Sequence, residues 1–210
     1  MKDYLKGKSV AIVGPALSIE GSGNGELIDS HDVVVRINYP KLSDPKDGGT
    51  KTNIIYYDGS LHNYDSLDLE YLICSYPRTE WFFNERCLKA VEHFSTKYNH
   101  HIINADIYNE LKVELNKNKK VRPNSGLIAI VDLLRYDIKS LFITGLDFYR
   151  SRYVGKHPDY GHFNLIDIGR IFKAGDNGET HDIERQFEYF KYHVSTDPRL
   201  EVDNFLKNFI

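Results

Sequence analysis

The sequence is poor in sulfur: its 210 residues include two cysteines, Cys74 and Cys87, and one methionine. Two cysteines build neither a disulfide framework nor a zinc site. Both sit in apolar runs, so they read as reduced core thiols of a cytoplasmic protein. Long apolar runs are missing too. None approaches the roughly 18–20 residues that a membrane-spanning helix needs. The opening MKDYLKGKSVAIVG has the shape of a strand start and not of a signal peptide. Nor is there an excess of charge of one sign: 27 Lys and Arg against 30 Asp and Glu give a formal net charge of -3. Without a dense basic stripe the chain is not a dedicated nucleic-acid binder. The KNKK run at 117–120 reads as a solvated loop.

What is present is a set of short, β-branched apolar runs: VAIVG (10–14), VVVRIN (33–38), NIIYYD (53–58), YLICSY (71–76), HIINA (101–105) and LFITGL (141–146). Most lack clean alternation, as strands buried on both faces do. Helical patterns lie between them. Asn84 is placed to cap a helix with Leu88, Val91, Phe94 and Tyr98, and Asp106 one with Ile107, Leu111 and Leu115; a third spans 124–136. Strand–helix alternation predicts an α/β fold, with an open, mainly parallel Rossmann-like sheet flanked by helices. A polar stretch at about 147–179 has little periodicity and is expected to be a flexible active-site lid. Beyond it, Thr180 is placed to cap a helix bearing Ile183, Phe187, Phe190 and Val194. Asp197 and Pro198 are placed to start a last helix with Val202, Phe205, Leu206 and Phe209. With no repeat and no linker, residues 1–210 read as one domain.

The glycines of GSGNGE (21–26) resemble a dinucleotide fingerprint but stand too far along the chain. That fingerprint needs its first glycine directly after strand one, and here strand one ends near Gly14. Two other readings of these glycines stay open: a tight surface turn, or a loop that approaches a ligand by another rule.

Ordered motifs carry a more specific resemblance. VAIVGPALSIEGSGNGELIDSHDVVVRINYP, continued by DGGTKTNIIYYD, resembles the large sialyl motif of family 29 glycosyltransferases. RPNSGLIAIVDLL (122–134) resembles the small sialyl motif, a polar-Ser/Thr-Gly turn leading an apolar helix. LFITGLDFYRSRY is similar to the Gly-x-Asp-Phe-Tyr stretch of bacterial family 42 sialyltransferases. Together these cover most of residues 9–153. The resemblance implies a single-domain, GT-A-like sialyltransferase variant. It would be an inverting, metal-independent enzyme that moves sialic acid or a related 2-keto sugar from a CMP-sugar to a glycan hydroxyl. A non-catalytic nucleotide- or sugar-binding module and a CMP-Kdo-type transferase stand as the alternatives.

Such chemistry needs a base for the acceptor hydroxyl and donors for one departing phosphate. No metal-ligand cluster is readable, and no cofactor is expected. His181 is the candidate base: just after Thr180 it would lie in a first helical turn, where the positive helix end disfavours protonation. An exposed helix-start histidine is the plain alternative. HDIERQFEYF looks like the catalytic-histidine helix of both families, but departs from the family 29 spacing, in which Glu follows His after four intervening residues. By resemblance, Tyr149, Tyr153 and His157 would contact the donor phosphate. Gly14, Pro15 and Ala16 take the place of the first nucleotide loop, where Pro15 replaces a frequent Asn. Asn38 ends strand two at the carboxyl edge, where the resemblance implies a donor contact and a strand-end turn cap is the plain alternative. Asn124, Ser125 and Gly126 would present hydroxyl and amide groups at a helix N-terminus, a position that favours anions. Asp147 is either a ribose or acceptor contact or a turn residue. Asp58 is either an acceptor or donor contact or structural.

Overall fold

A computed structural model describes residues 1–38, 44–80, 83–115, 122–151 and 181–210. Seven strands form one sheet: β1 (Ser9–Val13), β2 (Val33–Ile37), β3 (Ile54–Tyr57), β4 (Tyr71–Cys74), β5 (His100–Ile102), β6 (Ser140–Thr144) and β7 (Leu200–Val202). Their order is β5-β4-β3-β2-β1-β6-β7 and every pairing is parallel. The helices are α1 (Lys2–Leu5), α2 (Gly25–Ser30), α3 (Pro45–Gly48), α4 (Glu85–Ser95), α5 (Ala105–Leu115), α6 (Ser125–Leu134), α7 (Ile183–Tyr189) and α8 (Asn204–Lys207).

The apolar runs form strands because both faces of the sheet are covered. Val10 and Ile12 point into the core shared with α5, α6 and α7, whereas Ala11 and Val13 join Ile19, Ile28, Val34 and Phe142 on the other face. A parallel strand buried on both sides has no polar face, which is why alternation is absent. The chain lays down β1 to β5 outward on one side, then returns past β1 to place β6 and β7 on the other. This reversal puts a topological switch point between β1 and β6, where open α/β sheets leave a crevice at their carboxyl ends.

The residues of the large motif mostly serve as fasteners. Asp29 accepts hydrogen bonds from the Thr50 and Lys51 amides and the Thr50 hydroxyl at 2.9–3.0 Å. Although burial pushes its carboxyl up, these bonds hold it below the usual carboxylate range. Arg36 is buried and donates to the carbonyls of Gly48 and Lys51 and to the Thr52 hydroxyl. The glycines at 21–26 do not reach the cleft. Gly21 and Gly23 donate their amides to Asp47 at 2.8 Å, and a Cβ on Gly25 would lie 2.0 Å from the Pro45 carbonyl. Gly21 and Gly23 have φ of 75° and 66° and open space where a Cβ would stand, so they serve the turn, whereas Gly25 lets the loop pack on α3.

Three expectations change. Residues 200–202 form β7 beside β6, and the last helix begins only at Asn204, capped by Asp203. The helical spacing drawn from Pro198 onward was carried in part by strand residues whose partner is distant in sequence. At α4 the buried stripe runs through Cys87, Ala90, Val91 and Phe94, and Leu88 is exposed. At α5 the Asn104 side chain, not that of Asp106, accepts the first free amide.

Where the chain leaves β1 and β6, two backbones cross at Gly14 and Gly145. A Cβ on Gly14 would stand 2.1 Å from the Gly145 carbonyl oxygen and 2.4 Å from Leu146 Cδ2. The obstruction is backbone, so it cannot swing aside. Gly14→Ala is expected to destabilise the domain by about 1–3 kcal/mol, the cost of overpacking a tight core. Denaturant unfolding measures it, and an unchanged midpoint would refute the close approach.

Candidate active site

The cleft opens at the switch point, with a volume of about 530 Å³. Its walls come from the loops after β1, β2 and β6 and from the start of α6: Pro15 and Ala16, Asn38, Leu146 to Tyr149, and Asn124 to Leu127. Gly14 lies beneath it, packed on Gly145.

Helix α6 brings its N-terminus to the cleft because Asn124 caps it, accepting from the Leu127 amide at 2.8 Å. That leaves the first-turn amides at Ser125 and Gly126 facing a concave wall, and the positive end of the helix favours an anion there. Gly126 has a second reason to lack a side chain: a Cβ would press on Leu146 at 2.9 Å. The Ser125 hydroxyl is hydrogen-bonded to Tyr76, whose neighbours include Arg122, Asp58 and Tyr149. The Arg122 guanidinium lies 5.9 Å from the Tyr76 ring centroid.

Backbone strain concentrates around the cleft. Asn38, Phe148 and Tyr149 have φ of 57°, 53° and 62°, the left-handed region that side chains with a Cβ rarely adopt. Asn38 is held on both sides of its backbone: its amide donates to the Tyr56 carbonyl and its carbonyl accepts from the Tyr64 hydroxyl, each at 2.7 Å. Its buried side-chain Oδ1 has no partner among the described residues. Buried polar atoms without a partner are rare, which keeps this oxygen a candidate ligand contact.

Asp147 organises its own loop. Its carboxylate accepts from the Ser151 amide and hydroxyl, and the Ser18 amide donates to the Ser151 hydroxyl at 2.9 Å. Burial raises its pKa. Of its two readings, the turn role accounts for these bonds. Asp58 stands at the carboxyl end of β3 and accepts from the Ser60 amide and from His62. It does not line the cleft. Tyr149 does, and Tyr153, His157 and Thr180 lie outside the described residues.

His181 is placed differently from the expectation. Asp182, not Thr180, caps α7, accepting from the Arg185 amide, so His181 precedes the helix and is not in its first turn. It is buried, and its Nδ1 lies 2.7 Å from the Arg122 carbonyl oxygen. A carbonyl only accepts, so Nδ1 carries the proton and Nε2 the lone pair. Burial, more than the helix end, pushes its pKa down to about 4 and keeps the ring neutral. His181 does not line the cleft, but it is joined to the cleft wall through the segment 122–124. Sequence reasoning missed Arg122, Tyr76 and Gln186. Gln186 occupies the position, four residues intervening after His181, where the family 29 pattern has Glu. Among the described residues no three His, Cys, Asp or Glu side chains gather as a metal-binding group.

Fold and site define a class: a doubly wound α/β protein with a capped helix N-terminus opening into a cleft at its switch point, and a buried histidine held by the segment that leads into that helix. The description "Glycosyltransferase family 29 (sialyltransferase)" matches residues 3–135, and the chain belongs to that family. A search of curated proteins finds no match. Among solved structures, a mammalian sialyltransferase in complex with Gal-beta-1-3GalNAc-ortho-nitrophenol is 16% identical, with a TM-score of 0.58 over 93% of this chain and 69% of that one. The sialyltransferase CstII from Campylobacter jejuni, in complex with cytidine-5'-monophosphate, is 21% identical, with a TM-score of 0.62 over 98% of this chain and 84% of that one. Cst-I from the same organism, a monofunctional alpha-2,3-sialyltransferase, is 17% identical, with a TM-score of 0.59 over 93% and 75%. At these identities the structures establish the shared fold.

The buried neutral His181 makes stability depend on pH. Its folded pKa lies below the unfolded value of about 6.5, so the unfolded chain binds the extra proton and stability falls as pH drops from about 6.5 towards 4. Between pH 7 and 5 this histidine is expected to account for about 2 kcal/mol of lost unfolding free energy. Denaturant unfolding of wild type and His181→Asn at both pH values measures it. An equal acid loss in the two proteins would refute the buried neutral state.

Proposed function

We propose that the protein is an inverting, metal-independent glycosyltransferase that moves sialic acid, or a related 2-keto sugar, from a CMP-sugar to a glycan hydroxyl. One observation carries the reading: the capped N-terminus of α6 opens into the switch-point cleft on the same short segment whose Arg122 carbonyl orients His181. Family membership supplies the reaction class.

In this reading CMP occupies the cleft. Pro15 and Ala16 contribute backbone, with Gly14 beneath them to let the loop pass. The Asn38 amide oxygen accepts from the nucleotide, and Asn124, Ser125 and Gly126 present the helix end to the phosphate. Tyr149, with Tyr153 and His157, donates to the phosphate oxygens as the glycosidic bond breaks. A monophosphate leaving group gathers less charge than a diphosphate, and amide and hydroxyl donors suffice to hold it without a metal. His181 Nε2 takes the acceptor proton. Direct attack by one activated hydroxyl inverts the anomeric centre. Asp58, facing the same edge beyond Tyr76, is assigned to the acceptor side. The buried thiols of Cys74 and Cys87, not joined in a disulfide, suit the reducing cytoplasm. No helix among the described residues is long and apolar enough to cross a membrane.

A base with a pKa of about 4 would be weak if it stayed so. The donor brings a phosphate and a carboxylate, and negative charge beside an imidazole favours its protonated form. The acid limb of kcat/KM, which reports the free enzyme, is therefore expected below pH 5. The acid limb of kcat, which reports the complex, is expected a unit or more higher. Coincident limbs in a pH–rate series would contradict this coupling.

The decisive experiment incubates the protein with CMP-sialic acid and with CMP-Kdo, with and without glycan acceptors, and follows CMP release. His181→Ala is expected to lose at least a hundredfold in rate, the scale of a general base, while calorimetry still shows CMP binding. Ser125→Leu should weaken CMP binding at least tenfold with little change in melting temperature. CMP binding without release from either donor would place the chain among non-catalytic binding modules, and wild-type rates in His181→Ala would remove the base assignment.

A further inference from the structure

Gln186 is fully buried on α7. Its Oε1 accepts from the Asn124 amide at 2.8 Å and its Nε2 donates to the Arg122 carbonyl at 3.4 Å. That same carbonyl receives the His181 Nδ1–H at 2.7 Å. One side chain thus holds both ends of the short segment that enters α6. At one end is the residue that caps the helix; at the other is the carbonyl that decides which ring nitrogen of His181 carries the proton. Residues 122–124 belong to no helix or strand, so side chains must supply what a backbone ladder would otherwise fix.

We propose that Gln186 is a positioning residue for the transfer reaction, holding the Arg122 carbonyl so that His181 stays in its Nδ1–H tautomer with Nε2 as the basic nitrogen. The proposal rests on the reading of His181 as the base.

The choice of an amide matters. Gln offers one acceptor and one donor side without charge, matching one N–H and one C=O. A carboxylate in its place would still accept from Asn124 but would have no proton for the Arg122 carbonyl. It would also set a negative charge beside the imidazole and favour the imidazolium, which cannot accept a proton. The other charged groups of the described residues around His181 do not supply that charge. Arg122 is cationic. On α7 and its cap, the Asp182 carboxylate is engaged by the Arg185 amide, Arg185 is cationic, and Glu184 is exposed and lies 3.5 Å from Arg150.

Nitrogen-15 NMR of the histidine rings, assigned by comparison with His181→Ala, tests this without relying on turnover. Wild type is expected to show a single Nδ1–H tautomer for His181 at pH 7. In Gln186→Leu that signal should shift toward a mixture of tautomers. The kcat for acceptor-dependent CMP release from CMP-sialic acid should fall at least tenfold, with the Kd for CMP rising less than threefold. In Gln186→Glu the His181 titration midpoint should rise by a unit or more, and the acid limb of kcat/KM should follow it. An unchanged tautomer and midpoint in both variants overturns the proposal, and so do parallel losses of kcat, CMP affinity and melting temperature in Gln186→Leu. If the leucine variant does not fold, the midpoint in Gln186→Glu decides alone. Wild-type transfer by His181→Ala would remove the base reading by itself, while the ring tautomer would still decide whether Gln186 orients that histidine.

Discussion

The crossing of two backbones at Gly14 and Gly145 is the constraint on which the cleft depends. β1 and β6 are adjacent and parallel, yet from their shared carboxyl end the chain continues toward opposite edges of the sheet. The two exits can pass only where neither carries a side chain, because a Cβ on either glycine would enter the other's backbone. Once they pass, Leu146 is pressed between Gly14 and Gly126, which fixes the distance from the sheet to the start of α6. The cleft is what this arrangement leaves open above. Asp203, at the end of β7, ties down the β6 exit by accepting from the Thr144 hydroxyl at 2.7 Å and the Gly145 amide at 3.3 Å, so the edge strand also serves the site.

Placing the motif residues in space divides them by role. Asp29, Arg36 and Asp47 fasten loops to one another, and they account for much of the polar pattern between residues 21 and 52. Three of the cleft-lining residues sit where the backbone is least comfortable. Asn38, Phe148 and Tyr149 occupy left-handed conformations beside the cleft, each at a cost on the order of 1–3 kcal/mol that the surrounding fold must offset. Such strain persists where packing and hydrogen bonds overdetermine a loop. At Asn38 the two backbone bonds to Tyr56 and Tyr64 do this while leaving the side chain to the cleft.

Much of this was legible in the sequence, and the limits are physical. Six strands could be read because a parallel strand buried on both faces is continuously apolar. β7 could not, because its three residues carry too short a pattern and take their identity from β6. The helix read at 124–136 rests on local signals and is present as α6 (Ser125–Leu134), although its buried face runs through Ile128, Ala129 and Leu133 as well as Leu127 and Ile130. His181 was legible as a residue but not in its setting: a helix-end argument was made for a low pKa that burial produces, since Asp182 takes the cap. Gln186 and Arg122 had no local signature. A buried glutamine looks like any polar residue on a helix until the segment it holds, distant in sequence, is brought against it.

Under the proposed function the site joins two requirements that usually oppose each other. An anionic donor calls for positive potential, supplied here by the end of α6 and by Arg122, and positive potential also lowers the basicity of a neighbouring histidine. A carboxylate beside the ring would restore basicity but would repel the donor's phosphate and carboxylate. The arrangement around His181 avoids that conflict by using uncharged partners, the Arg122 carbonyl for the ring and the Gln186 amide for the carbonyl. Orientation is then set by hydrogen bonds alone, and basicity is left to rise with the charge that the substrate itself brings. In the proposed reading, a base built this way starts neutral and buried and gains proton affinity from the charge of the anion it serves.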